Sequence, residues 1–135
     1  MALTYLLDTN TCVDYLRFGT KSLVTARIVG STSVVLCSIV VAELLYGARR
    51  SNDVARNLFE VNAFCSRFAS LPFDDPAASE YAKIRTHLAG AGRPIGPNDL
   101  LIASIALARG LTVVTHNVGE FSRIPGLNLE DWQVP

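Results

Sequence analysis

Two kinds of hydrophobic pattern alternate along the chain. Short continuous apolar runs, rich in β-branched residues, predict buried strands at residues 3–7, 33–37, 71–73, 111–115 and 127–129. Longer stretches with helical periodicity predict helices at residues 9–18, 20–30, 38–50, 51–70, 75–89 and 96–110. Strands separated by helices imply an α/β fold, in which helices cover both faces of a parallel sheet of four to five strands.

Glycine, proline and N-capping residues predict where the helices begin and end. Gly19, Gly30 and Gly110 stop helices, whereas Thr20, Ser38 and Ser51 are expected to start them. Asp75-Pro76 and Gly96-Pro97 are typical helix starts, because proline is tolerated in the first turn. The longest predicted loops are residues 90–96 and 116–126.

Length and composition limit the class of protein. A chain of 135 residues favours one domain over 1–135, and 50% hydrophobic with 18% charged residues argues against disorder. Lys+Arg and Asp+Glu number 12 each, which excludes bulk electrostatic coating of nucleic acid or membranes but leaves a local RNA site open.

Cysteine spacing and hydropathy help to predict the cellular compartment of the protein. Cys12, Cys37 and Cys65 are isolated and odd in number, which argues against a zinc site or a disulfide framework. We expect free, buried thiols. The sequence shows neither a signal peptide pattern nor an apolar run of ~20 residues. These features predict a soluble cytoplasmic protein with no membrane association.

Polar side chains collect where the predicted strands end, the edge at which parallel sheets bind ligands. Asp8 follows the first strand, Asn117 and Glu120 follow the fourth, and Asp99 lies in the first turn of a helix. Glu43 interrupts the apolar segment 39–45. Each acid has a structural alternative: Asp8 as a helix cap, Asp99 as a dipole partner, Glu120 as a solvated loop residue.

Glu43 is the hardest acid to explain structurally, because burying an unpaired charge is costly. It could pair with Arg49 or Arg50, but a cation held by several carboxylates explains it better. Oxygen ligands without histidine or cysteine suit Mg²⁺ or Mn²⁺ rather than zinc. Such a cation activates water and neutralises phosphate charge.

Four motifs resemble the PIN domain, and more narrowly the VapC-type ribonuclease toxins of toxin–antitoxin pairs. They are residues 6–10 (LLDTN), 41–47 (VAELLYG), 98–103 (NDLLIA) and 115–121 (THNVGEF), in the family's order and at similar spacing. The resemblance spans nearly the whole chain. It implies a three-layer α/β/α fold and an endoribonuclease that requires Mg²⁺ or Mn²⁺.

The resemblance also implies roles for individual residues. Asp8, Glu43 and Asp99 match the catalytic and metal-binding acidic triad, and Glu120 matches a fourth catalytic acid. Asn117 stands where many relatives carry Asp, so the number of metal ions stays open. Supporting roles follow by position: Thr115 and Asn117 would bind water on the metal, and Thr9 and Asn10 would orient Asp8.

If water on the metal attacks an RNA phosphodiester and the 3′ oxygen leaves, hydrolysis gives a 5′-phosphate and a 3′-hydroxyl. Arg93 is the best candidate for an RNA backbone contact, since it precedes Asp99 in a loop. Further candidates are Arg17, Arg49, Arg50 and Arg123.

Apolar residues between 38 and 70 exceed what one core-facing stripe needs. Leu58, Val61, Cys65 and Phe68 form the stripe, and Phe59 and Phe64 lie off it. Extra aromatics predict a second contact surface. In the resembling family a groove of this kind holds a helix of the antitoxin, and toxin subunits form homodimers or larger toxin–antitoxin assemblies.

Two alternatives stay open. A phosphatase of the haloacid dehalogenase type also places an Asp after strand one, here Asp8, but needs a second Asp where this chain has Asn10. A degenerate PIN scaffold would bind RNA or a partner without cutting, and Asn117 is the one departure that supports it.

Overall fold

A computed structural model describes residues 4–30 and 33–135. Its strands are β1 (Tyr5–Leu7), β2 (Val34–Cys37), β3 (Ser70–Leu71), β4 (Thr112–Val114) and β5 (Asn128–Glu130). Its helices are α1 (Thr9–Phe18), α2 (Leu23–Val29), α3 (Ser38–Arg49), α4 (Val54–Cys65), α5 (Asp75–Gly90), α6 (Pro97–Arg109) and α7 (Val118–Phe121). A single 3₁₀ turn, Gly19–Lys21, separates α1 from α2.

The five strands form one sheet in the order β3-β2-β1-β4-β5, and every neighbouring pair is parallel. Leu6 lies opposite Val35 on one side and Val113 on the other. Consecutive residues Leu6 and Leu7 are both fully buried, so helices cover both faces of the sheet. The predicted α/β architecture with a parallel sheet is confirmed.

Several predicted element boundaries are wrong. Ser22 rather than Thr20 caps α2, because its hydroxyl accepts from the Val24 amide at 3.0 Å and residues 19–21 form the 3₁₀ turn. Asp53 rather than Ser51 caps α4, which ends at Cys65 instead of near residue 70. Helix α7 occupies a predicted loop. Leu3, the predicted start of the first strand, lies outside the described residues.

The predicted stripe of Leu58, Val61, Cys65 and Phe68 packs on the core, but one neighbouring residue faces differently from the prediction. Phe64, predicted to lie off the core stripe, is only 3% exposed, and its ring packs against Tyr15 and Phe68. Phe59, in contrast, is 75% exposed. The core-facing side of α4 is therefore the one that carries Val61 and Phe64, both buried.

The state of the cysteines and the hydropathy of the helices can be compared with the predictions of free, buried thiols and of no membrane-spanning run. Cys12, Cys37 and Cys65 are free, and Cys12 and Cys37 are buried. Among the described residues, no helix is both long enough and apolar enough to cross a membrane.

Candidate active site

Asp8 ends β1 and begins α1. Its amide donates to the Val114 carbonyl at 3.0 Å, which continues the sheet, and its Oδ1 accepts from the Thr11 amide at 2.8 Å as the helix cap. The residue is 3% exposed. Burial raises the pKa of Asp8, hydrogen bonds from Thr115 and Thr11 oppose the rise, and the nearby charge of Glu43 adds to it. Capping alone does not account for so deeply buried a carboxyl group.

Glu43 reaches the same edge of the sheet from the middle of α3. Thr9 Oγ1 donates to its Oε1 at 2.5 Å, and Asn98 Nδ2 donates to its Oε2 at 3.1 Å. Within the described part of the chain, Glu43 forms no ion pair, so the alternative of pairing with Arg49 or Arg50 is wrong. Neutral donors therefore hold the carboxylate without neutralising its charge.

Asp99, in the first turn of α6, lies beside Glu120 of α7. Asn117 Nδ2 bridges them, with donor distances of 2.9 Å to Glu120 Oε2 and 3.4 Å to Asp99 Oδ2. The Gly96 amide also donates to Glu120 Oε1. A Cβ at Gly96 would lie 3.3 Å from that Glu120 oxygen, so glycine allows the loop before α6 to approach this closely.

The four carboxylates interact electrostatically. The pKa of Asp99 is raised to about 6 by burial and by the charges of Glu120, Asp8 and Glu43, and the hydrogen bond from Asn117 opposes the rise. Asp8, Glu43, Asp99 and Glu120 therefore form one acid cluster, the name used below. Among the described residues, no Lys or Arg forms an ion pair with any of them.

The donor set of this cluster fits a hard divalent cation. No three Asp, Glu, His or Cys side chains of the described residues are placed to hold one metal ion in common. Mg²⁺ usually takes only one or two carboxylates and keeps several waters, so this placement is compatible with it. One buried and three half-buried carboxylates that repel one another and lack a cationic partner among the described residues favour such an ion.

The structure places the supporting residues in different ways. Thr115 is fully buried and hydrogen-bonds Asp8. Asn117 joins Asp99 to Glu120, as described above. Thr9 contacts Glu43 and not Asp8, and Asn10 is exposed and has no described hydrogen bond to Asp8, so their predicted role in orienting Asp8 is not seen. Arg93 is exposed in the loop after α5, and its amide donates to the Leu88 carbonyl at 3.0 Å.

Sequence reasoning missed three groups that hold the acids: the Thr9 hydroxyl, the Asn98 amide and the Gly96 N–H. A usable signal existed for two of them. Thr9 directly follows Asp8 and Asn98 directly precedes Asp99 in the motifs. The Gly96 contact joins two loops and has no local signal.

Comparison with known proteins assigns the chain to a family. The PIN domain model matches residues 5–127. The tRNA(fMet)-specific endonuclease VapC of Salmonella typhimurium is 42% identical over 130 residues, covering 96% of this chain and 98% of the relative. Ribonuclease VapC2 of Rickettsia felis is 39% identical, covering 95% and 97%.

A solved structure agrees with these relatives. The crystal structure of DNA-bound VapBC from Salmonella typhimurium contains a chain that superposes with a TM-score of 0.90 at 42% identity, covering 97% of this chain and 99% of that one. The chain belongs to the PIN domain family, within the group of VapC proteins. The haloacid dehalogenase alternative is therefore wrong.

Proposed function

We propose that this protein is an endoribonuclease toxin whose acid cluster works with Mg²⁺ or Mn²⁺. The observation that carries the proposal is the acid cluster, in which burial and three neighbouring carboxylates raise the pKa of Asp99 and no cationic partner occurs among the described residues. The ribonuclease activity is supported by the VapC relatives, which are named as a tRNA(fMet)-specific endonuclease and as ribonucleases.

Within the acid cluster, the cation would be held by one or two carboxylates from among Asp8, Glu43 and Asp99 and otherwise by water, since no three of them are placed to hold one ion in common. Bound there, it would lower the pKa of a water molecule and neutralise charge on the scissile phosphate. Thr11 and Thr115 fix the Asp8 carboxyl group at the end of β1, and Thr9 and Asn98 fix that of Glu43. We propose that cleavage leaves a 5′-phosphate and a 3′-hydroxyl.

Glu120 acts in this proposal through its position beside Asp99. Asn117 and the Gly96 amide hold the Glu120 carboxylate, and its negative charge adds to burial in raising the pKa of Asp99. Whether Glu120 contacts a second cation depends on the number of ions bound, which a titration of the purified protein with Mn²⁺ measures by calorimetry.

The testing experiment is cleavage of total cellular RNA by the purified protein in Mg²⁺, in Mn²⁺ and in chelator. We expect cleavage only with metal, and Asp8→Asn and Asp99→Asn should abolish it while circular dichroism shows an intact fold. Sequencing libraries that require a 5′-phosphate should recover the cut ends. Undiminished cleavage by either variant contradicts the proposed site, and RNA binding without cleavage by the native chain would support the degenerate scaffold instead.

We propose a cognate antitoxin as the protein partner and the cytoplasm, where RNA is available, as the place of action. Solved structures similar to this chain are VapBC complexes from Salmonella typhimurium, Rickettsia felis and Haemophilus influenzae. Producing this protein alone should arrest growth of a bacterial host. A small protein encoded beside it should restore growth when both are produced.

A further inference from the structure

A cavity of about 470 Å³ runs beside the acid cluster along one face of α1. Asn10, Val13, Asp14 and Arg17 line it from that helix. Their spacing of three, four and seven residues is that of a single helical face. The helical rise separates Asn10 from Arg17 by about 10 Å along the axis, a distance that one or two nucleotides span.

The near end of this cavity joins the acid cluster. Asn117, which bridges Asp99 and Glu120, lies in the cavity wall next to His116. Asn10, which also lines the cavity, is two residues beyond Asp8. A strand with its scissile phosphate at the acid cluster would therefore continue into the cavity.

The far end presents an aromatic ring and a guanidinium. Phe18 is 51% exposed, and the guanidinium carbon of Arg17 lies 5.9 Å from its ring centroid. Within residues 4–30 and 33–135, no carboxylate forms an ion pair with Arg17. An exposed phenyl ring beside an unpaired arginine is typical of sites that stack an unpaired base and contact its phosphate.

The acidic side chains near the cavity already have partners. Asp14 accepts a hydrogen bond from the Ser22 hydroxyl. Asp131 accepts from His116 Nδ1 at 2.9 Å and from the Gln133 amide at 2.9 Å. Because Nδ1 is engaged, the 58% exposed His116 side chain keeps Nε2 for a base edge or a ribose hydroxyl. The wall thus offers amide, imidazole and guanidinium groups, beside the Asp14 carboxylate that the Ser22 hydroxyl engages.

We propose that this cavity is a nucleotide subsite that binds an unpaired residue of the RNA next to the scissile bond. The base stacks on Phe18, Arg17 contacts a phosphate, and Asn10 and His116 face the base edge or the ribose. The inference rests on the proposed ribonuclease function. Val13 and Phe18 supply the apolar surface of the lining, whereas a groove that docks a protein helix needs a row of apolar anchors.

The test couples a change in the protein to a change in the RNA. The probe is a labelled hairpin RNA whose loop contains the bond cut in the cleavage assay or, if none is cut, a hairpin of tRNA(fMet), the RNA named for the Salmonella relative. Binding is measured by fluorescence anisotropy in chelator with Asp8→Asn protein, which leaves the RNA intact. Each loop nucleotide is replaced in turn by an abasic residue.

At one loop position, we expect the abasic substitution in the RNA to weaken binding about tenfold, and the Phe18→Leu change in the protein to do the same. The two changes combined should also weaken binding only about tenfold, because both remove the same stacking contact. Leucine keeps an apolar side chain but removes the stacking face, and Phe18→Tyr should restore binding. At the other loop positions the two losses should multiply. Phe18 is half exposed, so equal melting temperatures of the variants will show that the fold is intact.

Arg17→Ala gives a second readout that a structural role would not change. Loss of one phosphate contact should lower the slope of log affinity against log salt by about 0.7. Arg85→Ala is the matched control, because Arg85 also packs on an aromatic ring, Tyr81 at 5.7 Å, but does not line this cavity.

Normal RNA cleavage with multiplicative losses at every loop position would overturn the subsite and leave the proposed function standing. Absence of both cleavage and RNA binding would overturn both. Unchanged RNA binding with weakened antitoxin binding in Phe18→Leu would assign the cavity to a protein partner and so contradict the inference.

Discussion

Asp99 combines a structural and an electrostatic role at one position. It occupies the first turn of α6, where a carboxylate complements the helix dipole. Burial and three neighbouring carboxylates nevertheless raise its pKa to about 6, so the favourable dipole does not decide its charge. The arrangement costs stability at neutral pH unless a cation binds, which is the behaviour expected of a metal ligand.

Raising the pH should therefore destabilise the metal-free protein. The pKa of Asp99 is about 6 in the folded chain and 3.8 ordinarily. The stability that protonated Asp99 contributes is therefore fully present below pH 3.8 and is lost as the pH rises through 6. The shift corresponds to at most about 3 kcal/mol, which solvent screening at a half-buried group reduces to about 1 kcal/mol.

Urea unfolding in chelator between pH 4 and 7 measures this effect. Relative to Asp99→Asn, the native chain should lose about 1 kcal/mol of unfolding free energy over that range, and added Mg²⁺ should restore it. Asp75→Asn, an exposed acid-to-amide change at the start of α5, controls for the substitution itself. Parallel pH profiles for the native chain and Asp99→Asn would contradict the electrostatic account.

Gly96 tests how closely the acids must be positioned. In Gly96→Ala, the new Cβ would press on Glu120 Oε1 at 3.3 Å and lie 3.8 Å from Asp99 Oδ2. The backbone φ of −55° suits alanine, so the fold should tolerate the change. We expect kcat to fall about tenfold, as small misplacements of catalytic groups do, with the melting temperature unchanged.

Gly90→Ala is the matched control, because a Cβ there meets nothing within 4 Å. It should leave both kcat and melting temperature as they are in the native chain. Equal activity of the two alanine variants would show that the contact between Gly96 and Glu120 does not position the acids.

At the scale of the element, capping and helix-ending residues predicted some element boundaries correctly and others wrongly. Helix α1 spans the predicted residues, because Gly19, with a φ of 53°, ends it. The start of α4 was ambiguous, since both Ser51 and Asp53 are capping residues. The structure selects Asp53 because the Ser51 hydroxyl is engaged with the Ala48 carbonyl at 2.6 Å. Helix α7 has four residues, too few to show a period.

Periodicity also left the buried face of α4 undecided. Residues 58, 61, 65 and 68 and residues 61, 64 and 68 both satisfy helical spacing, so the sequence alone gives two possible stripes. Contacts with α1 decide between them, since Phe64 packs on Tyr15 with ring centroids 5.0 Å apart. The acids, by contrast, were predictable from their positions. Asp8 and Glu120 follow strands, Glu43 interrupts an apolar helix, and Asp99 lies in the first turn of a helix that begins at a Gly-Pro pair.

Two alanine variants of α4 test this assignment. Phe64→Ala should reduce the unfolding free energy by about 3–5 kcal/mol, because it opens a cavity in the core. Phe59→Ala, at an exposed position, should change it by no more than about 0.5 kcal/mol. Urea denaturation of both proteins measures the difference. Similar losses in the two variants would show that the faces of α4 are wrongly assigned.

On the scale of the whole molecule, the formal net charge is zero, but acidic and apolar side chains collect at different places on the surface. The acid cluster lies at one edge of the sheet. A largely apolar cavity of about 400 Å³ lies between α1 and α4, where Tyr15, Leu16, Phe59 and Ala63 line it. Phe59 is an exposed apolar anchor of the kind that helix-in-groove docking uses.

These two features predict how an antitoxin inhibits the protein. An apolar helix of the partner should occupy the cavity at Phe59, and a basic side chain should enter the acid cluster, where arginine matches carboxylates bidentately. Phe59→Asp should therefore weaken the complex at least tenfold, whereas Phe59→Leu should not, as calorimetric titration with the purified partner measures. RNA cleavage by the uncomplexed variants should equal that of the native chain.

Inhibition should also compete with metal. Because the partner's basic group and Mg²⁺ would neutralise the same carboxylates, raising Mg²⁺ should relieve inhibition. Changing that basic residue of the partner to Ala should abolish this competition while the apolar helix still binds. Light scattering of the native chain and of the complex gives the number of subunits and tests the homodimer that the family resemblance implies. A complex that forms fully yet cleaves RNA as fast as the uncomplexed protein would rule out inhibition through the acid cluster.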